Sequence, residues 1–393
     1  MTIINALKSF YHAQNLPKRL KNEIRQDHKG LPQRDHSLEQ AVDAAMQWMA
    51  RAQDCSLTHD GGVSRDFSFI NGWASSYPET TGYIIPTFLK YAEGYHQDDF
   101  RERARKMLDW MVKIQLPGGG FQGGKVDSTP VVPVTFNTGQ ILIGLADGVR
   151  HFGDEYLPAM RDAADWLAQS LDEDGCWRKH PTPFAANGEK AYETHVSWGL
   201  FEAARVVPDA GYAEAGQKNV DWALTKQAAN GWFADCCLDQ PDAPLTHTLG
   251  YVLRGILEGY RLTKRDDYLA AAIKLADALL AQLKDDGYLA GRWYADWTPA
   301  VDWVCLTGSV QVAYCWFYLY ELTGEARYFD AGVKANSYVR RTQKMEGDLD
   351  ERGGIKGAFP VDGDYGIYQY LNWAPKFFAD SHMKEIELRK AQG

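Results

Sequence analysis

The chain has 393 residues, 45% hydrophobic and 24% charged, with a formal net charge of −10. That is ordinary globular usage and excludes disorder, collagen and coiled coil as the main architecture. No apolar run reaches the roughly 18 residues of a membrane span, and the acidic balance argues against nucleic acid and anionic membranes as partners. Aromatic residues stand out: 13 Trp, 21 Tyr and 16 Phe. Such abundance fits an aromatic core, or a cleft for sugar rings or prenyl chains.

In chain order, residues 1–36 read as a basic arm or short helix. They lack the apolar core and small-residue cleavage site of a secretory leader. The six cysteines, Cys55, Cys176, Cys236, Cys237, Cys305 and Cys315, show no paired spacing. Together these features predict a cytoplasmic protein with free thiols.

From Ser37 onward a repeat runs through the chain. Six segments begin at Thr81, Thr138, Thr194, Thr246, Thr307 and Asn372, at intervals of 57, 56, 52, 61 and 65 residues. A Thr or Asn before a long apolar run reads as a helix start. The first five segments are apolar nearly all round, which predicts helices buried on both sides. After each of these five comes an amphipathic partner: FRERARKMLDWMVKIQ, YLPAMRDAADWLAQSL, YAEAGQKNVDWALTKQ, YLAAAIKLADALLAQL and YFDAGVKANSYVRRTQ. SLEQAVDAAMQWMARAQ, with Trp48, is an amphipathic helix lacking a buried partner before it. The buried helix from Asn372 to Asp380 lacks an amphipathic partner after it. Pairing these two orphans closes six hairpins into an all-α (α/α)6 toroid, one domain over residues 37–393.

The connections are unequal. HQDD, FGDE, VPDAG, TKRDD and TGEAR are short, whereas Leu116 to Phe136 is 21 residues with five glycines and three prolines. Long loops of this kind are often functional. In a toroid they all fall on the face where the inner helices begin, which makes that face the expected site.

Candidate chemistry clusters there. His195 and His247 each follow a helix-start Thr, where other copies carry Gly82, Gly139, Gly308 and Trp373. Two imidazoles on adjacent inner helices suit acid–base work near neutral pH; the alternative is two histidines bonded to core carbonyls. Glu79, Glu193 and Asp302 precede or open inner helices. Glycoside hydrolysis needs two carboxyls, about 5–5.5 Å apart for retention or 6.5–9.5 Å for inversion; the competing role is helix capping. Tyr77, Tyr192 and Tyr251 lie on the same face. Asn137, Gln140 and Asn372 can bind sugar hydroxyls. Trp177, Trp293 and Trp303 can stack on pyranose faces or simply pack. Arg178, Arg292 and Lys356 are the basic candidates, and the glycine-rich segment VDGDYGIYQY supplies Asp364 and Tyr365.

The outer-helix endings WLAQSLDEDGCW, WALTKQAANGWF and WMVKIQLPGGGF resemble the QW repeat of squalene-cyclase and prenyltransferase toroids. In that repeat, Trp and Gln tie each outer helix to the following turn. The cyclases' Asp-x-Asp-Asp acid motif is absent. Asp235 and Cys237 match half of the prenyltransferases' zinc pattern. Gly308 stands where the His is required, and His247 follows after only ten residues, so no metal or other cofactor is expected. SYPETTGYIIPTF, FNTGQ, THTLGYVLRGILEGYRL, VCLTGSVQ and GGIKGAFPVDGDYGIYQYLNWAPKFF are similar to toroid proteins encoded beside exopolysaccharide genes, over roughly residues 54–380. The wider six-hairpin superfamily holds glycoside hydrolases, polysaccharide lyases and sugar epimerases. The resemblance implies an oligo- or polysaccharide substrate, with hydrolysis as the first expectation. Lyase or uronate C5-epimerase chemistry using Tyr and His is the second. Isoprenoid chemistry and non-catalytic glycan binding are the further alternatives.

Overall fold

The computed structural model describes residues 16–185 and 188–392. Residues 1–15 of the expected arm lie outside the described residues. Thirteen α-helices occur among those described. After α1 (Lys18–Asp27) and α2 (Leu38–Asp54), helices alternate between an inner and an outer ring. The inner ones are α3 (Pro78–Tyr95), α5 (Thr135–Phe152), α7 (Thr194–Val206), α9 (Thr246–Thr263), α11 (Leu306–Thr323) and α13 (Trp373–Gln392). The outer ones are α2 with α4 (Asp98–Ile114), α6 (Leu157–Ser170), α8 (Tyr212–Leu224), α10 (Asp266–Leu280) and α12 (Ala326–Thr342). Each inner helix packs on the next, α13 packs back on α3, and α2 pairs with α13. The chain is an (α/α)6 toroid closed by its first and last hairpin helices, as the orphan pair predicts.

Two kinds of contact set the rings. The inner helices approach through small residues: a Cβ on Gly144 would lie 2.2 Å from the carbonyl oxygen of Gly82, and one on Gly199 would lie 2.4 Å from that of Gly139. In the outer ring, one glycine per repeat follows the helix end, at Gly61, Gly119, Gly175, Gly231, Gly287 and Gly353. All six have φ between +88° and +103°, which an L side chain resists. Each presses on a carbonyl of the next outer helix, the last closing on Ala44 of α2. Glutamines at outer-helix ends, Gln115 of one QW-like ending among them, do the same work with hydrogen bonds. Gln53 Nε2 donates to the carbonyls of Gly61 and Arg103, Gln115 Nε2 to those of Gly119 and Ala159, and Gln343 Nε2 to those of Gly353 and Ala41.

Two of the expected helix starts move. α3 and α5 begin three residues before Thr81 and Thr138, at Pro78 and Thr135. The threonine hydroxyls donate to the carbonyls of Tyr77 and Val134, both at 2.8 Å. They also accept the amides of Val63 and Phe121, at 3.0 and 2.9 Å. Their role is to moor the incoming loop to the first turn, which looks like a cap in sequence. Thr194 and Thr246 are first residues of their helices, and Asn372 stands immediately before α13.

Short strands brace the loops on the face where inner helices begin. β1 (Asp66–Ser68) pairs antiparallel with β2 (Gly72–Trp73) and with β5 (Gln369–Leu371), setting Phe67 opposite both Trp73 and Tyr370. β3 (Val304–Cys305) pairs with β4 (Ala358–Phe359). Helix α1 lies against this C-terminal segment: Lys356 Nζ, almost fully buried, reaches Asp27 at 2.6 Å and Glu23 at 3.0 Å. Lys356 is therefore part of an internal ion-pair network that docks α1.

Candidate active site

A cavity of about 780 Å³ opens among the loops and first turns of the inner helices. Ligand sites of globular proteins run from roughly 300 to 1,000 Å³. Besides Arg292, eight of the residues singled out in sequence border it: Tyr77, Glu79, Asn137, Tyr192, His247, Tyr251, Asp364 and Tyr365. They come from five different hairpins, and the toroid brings them together because each stands at the same end of its inner helix.

Glu79, in the first turn of α3, accepts a hydrogen bond from the Tyr77 hydroxyl at 3.1 Å. Desolvation among aromatic rings outweighs that bond and the nearby Arg65 charge, and lifts the carboxyl to about 7. Arg65 is ion-paired with Asp66 at 2.6 Å and spreads its guanidinium over Trp373, 5.3 Å from the ring centroid. Trp373 donates its indole N–H to the Tyr365 hydroxyl at 2.8 Å.

His247 stands on the first turn of α9 with its ring 4.3 Å from that of Tyr251 and 5.5 Å from that of Tyr365. Burial drives its pKa down to about 4, so it is neutral at physiological pH. Its Nδ1 lies 2.6 Å from Oε1 of Gln311, an oxygen that can only accept. The proton therefore sits on Nδ1 and the lone pair on Nε2. Asn137 is almost fully buried, and its Nδ2 has no hydrogen-bond partner among the described residues, leaving a donor for a ligand.

Other sequence candidates are placed elsewhere. His195 is buried, with its ring 4.4 Å from Tyr251 and Nδ1 on Oε1 of Gln140 at 2.6 Å, so both residues lie outside the cavity lining. Glu193 is buried without bordering the cavity, and desolvation lifts its carboxyl to about 8. Asp302 is exposed ahead of β3, its backbone carbonyl taking the Tyr288 hydroxyl. Trp177 and Trp293 are core residues whose indole N–H groups bond the Leu167 carbonyl and the Thr246 hydroxyl. Trp303 packs with Leu245, Cys305 and Ala358. Arg178 is a surface cation paired with Asp172, Asp174 and Glu189. Asn372 donates to the Ser64 carbonyl at 2.9 Å. Asp235 is ion-paired with Lys226, and the Cys237 sulfur accepts the Asp239 amide at 3.1 Å, so neither half of the zinc-like pattern converges on His247.

Sequence reasoning missed Arg65, Asp66, Asp239 and the role of Trp373, all of which border the cavity. Only Trp373 carried a signal, as the sixth copy's residue at the His position. Arg292, named among the basic candidates, is buried there and holds Asp239 through one guanidinium nitrogen, 3.1 and 3.2 Å from its two oxygens. Two of the three cations bordering the cavity, Arg65 and Arg292, are thus paired with acids that also border it. The lining carries no surplus of positive charge.

No family model matches the chain, and no curated protein matches it in sequence. Solved structures do match in fold. An unsaturated glucuronyl hydrolase specific for heparin aligns with a TM-score of 0.72 at 13% identity, covering 90% of this chain and 98% of that one. A D-mannose isomerase aligns with a TM-score of 0.69 at 13% identity, covering 91% and 100%. Cellobiose 2-epimerase from Bacillus thermoamylovorans aligns with a TM-score of 0.66 at 12% identity, covering 92% and 98%. These neighbours belong to the (α/α)6 toroid superfamily. At identities this low the likeness shows the shared fold alone.

Proposed function

We propose that the protein is a carbohydrate-active enzyme that cleaves a glycosidic bond in a short, neutral or singly charged saccharide. The observation that carries this reading is Glu79: a carboxyl lifted to about 7 on the wall of an aromatic cavity, protonated often enough at neutral pH to serve as general acid. Glu79 protonates the departing glycosidic oxygen. A second carboxylate activates the attacking water. Asp364 is suited to that role, since it borders the same cavity and takes no hydrogen bond or ion pair from the described residues. The Asn137 amide and the tyrosine hydroxyls hold sugar hydroxyls, and Trp373, on the cavity wall, packs against a pyranose ring. The balanced lining charge supports a substrate other than a polyanion. The names of the structural neighbours, all of them enzymes of sugars, support the class. The mixture of Glu, His, Asn and Arg around the cavity disfavours isoprenoid chemistry, whose site would be nearly all apolar.

One observation favours a second reading. Neutral His247, with its lone pair on Nε2, borders the same cavity as Glu79, so a base and an acid face one ligand. That pair can move a proton at carbon, as epimerisation or elimination requires. Incubation with neutral di- and trisaccharides in heavy water separates the two. New reducing ends support hydrolysis, deuterium gained at a ring carbon supports the second reading, and no change to any sugar would refute both.

As part of the same proposal, the substrate is an exopolysaccharide fragment or precursor, residues 37–393 act as one domain, and the protein works in a reducing compartment. The six cysteines, all free, support the last point.

A further inference from the structure

His195 sits beneath the site without bordering the main cavity, and a second, much smaller cavity explains its placement. About 10 Å³ in volume, this space is bordered by His195, Arg254, Gln311, Tyr314, Phe377 and Asp380. A volume of about 10–15 Å³ holds one water molecule.

The polar groups around it have different commitments. Arg254 is clamped between the rings of Trp198 and Tyr314, at 4.2 and 4.1 Å, with Nε on Glu258 at 2.9 Å. Asp380 accepts from Thr87 at 2.8 Å and from Lys376 at 2.7 Å, and a carboxylate has lone pairs to spare. Nε2 of His195 and Nε2 of Gln311 are both buried and have no partner among the described residues. Because Nδ1 of His195 faces the Gln140 carbonyl oxygen, its Nε2 bears a lone pair and is an acceptor. Gln311 Nε2 is a donor.

We propose that one ordered water fills this cavity, and that through it His195 acts as a positioning residue that fixes the tautomer of His247. The water faces two groups that only accept, His195 Nε2 and the Asp380 carboxylate, so both of its protons are committed. Its oxygen can then only accept from Gln311, which must present Nε2–H. That holds the amide with Oε1 toward His247, 2.6 Å from Nδ1. Rotating the amide by half a turn would set its NH2 group against Nδ1, move the imidazole proton to Nε2 and remove the base from the substrate cavity. Two matching His–Gln pairs, one at the substrate and one below it, are thereby joined into a single chain. Burial is the chief cause that keeps His195 unprotonated; the Lys376 and Arg254 charges add to it, while the Asp380 carboxylate across the small cavity is itself held by Lys376, so the His195 lone pair stays available.

The inference rests on His247 serving the site described above, but its test needs no substrate. A crystal structure of the wild-type protein should show one water within hydrogen-bond reach of His195 Nε2 and Gln311 Nε2; a dry cavity overturns the proposal. In ¹⁵N-histidine spectra of the resting protein, His247 should show a single tautomer, unprotonated at Nε2. His195→Phe keeps a ring but no acceptor, and should shift that resonance toward the protonated value as both tautomers populate. His195→Gln restores an acceptor at the same reach and should restore the single tautomer. An unaltered His247 spectrum in His195→Phe overturns the proposal. If that variant does not fold, the wild-type water and tautomer decide the matter. A mistaken substrate class would leave all of these spectra as expected while abolishing the saccharide assay.

Discussion

With its carboxyl lifted to about 7, Glu79 is half protonated near neutral pH, while His247 at about 4 is not protonated at all. A mechanism that needs the acid form of Glu79 loses rate by about tenfold per pH unit above pH 7. Glu79→Gln should lower kcat by on the order of 10²–10⁴-fold, the usual size of an acid–base contribution, and remove that alkaline limb. A variant that keeps both the rate and the limb would take Glu79 out of the chemistry. Glu79, Asn137 and His247 were legible because each stands beside an inner-helix start that the repeat exposes. Asp302 looked equivalent. Its segment, however, runs into the short β3–β4 pairing and leaves the side chain at the surface. Arg65 was silent in the sequence because it has no counterpart in other repeats. Its partner Trp373 is far away in the chain and meets it only when the ring closes.

At the level of single elements, the inner helices carry two testable features. Glu193 leads into α7 with its carboxyl buried and lifted to about 8 by desolvation, against an ordinary value of 4.5. A raised carboxyl favours the folded state while protonated. Its contribution is complete below about pH 4.5 and is lost as pH rises toward 8. Glu193→Gln mimics the protonated form, so it should raise the melting temperature at pH 8 and leave it nearly unchanged at pH 4. Equal shifts at both values would show that the carboxyl is not perturbed. The second feature is the close approach of α5 and α7. The Cβ added by Gly199→Ala would meet a backbone carbonyl that cannot swing aside, 2.4 Å away. Overpacking of this kind costs about 1–3 kcal/mol and should lower the denaturant midpoint without changing the slope. The helices themselves were plain in the sequence because apolar periodicity reports burial directly. Their exact starts were not, because Thr81 and Thr138 moor loops through hydrogen bonds that a one-dimensional pattern cannot distinguish from a cap.

For the whole molecule, closure was legible from two unpaired helices at the chain's extremes, but the device that seals the seam was not. Gly353, near the end of the chain, presses on Ala44 just as Gly175 presses on Lys218 in mid-ring, with hypothetical Cβ distances of 2.0 and 2.2 Å. In an open array of repeats, damage at a terminal unit stays local. In a ring it does not. Gly353→Ala and Gly175→Ala should each cost on the order of 2–5 kcal/mol, combining left-handed backbone strain with a backbone clash. Both should lower one cooperative unfolding transition. A separate early transition in Gly353→Ala, confined to the last helix, would contradict a sealed ring.

The pairing of α2 with α13 also has a consequence for synthesis. Trp48 donates to the Asp350 carbonyl, 302 residues further along, and α2, whose apolar stripe includes the buried Val42, Met46 and Met49, finds its main packing partner only when α13 arrives. At a ribosomal pace of about 5–20 residues per second, that stripe leaves the exit tunnel roughly 15–60 s before its partner. Throughout that interval the nascent chain carries a sticky, helix-sized surface. The cell's holdase chaperones would meet this protein there first, and a pause in translation before residue 353 would lengthen their hold on it.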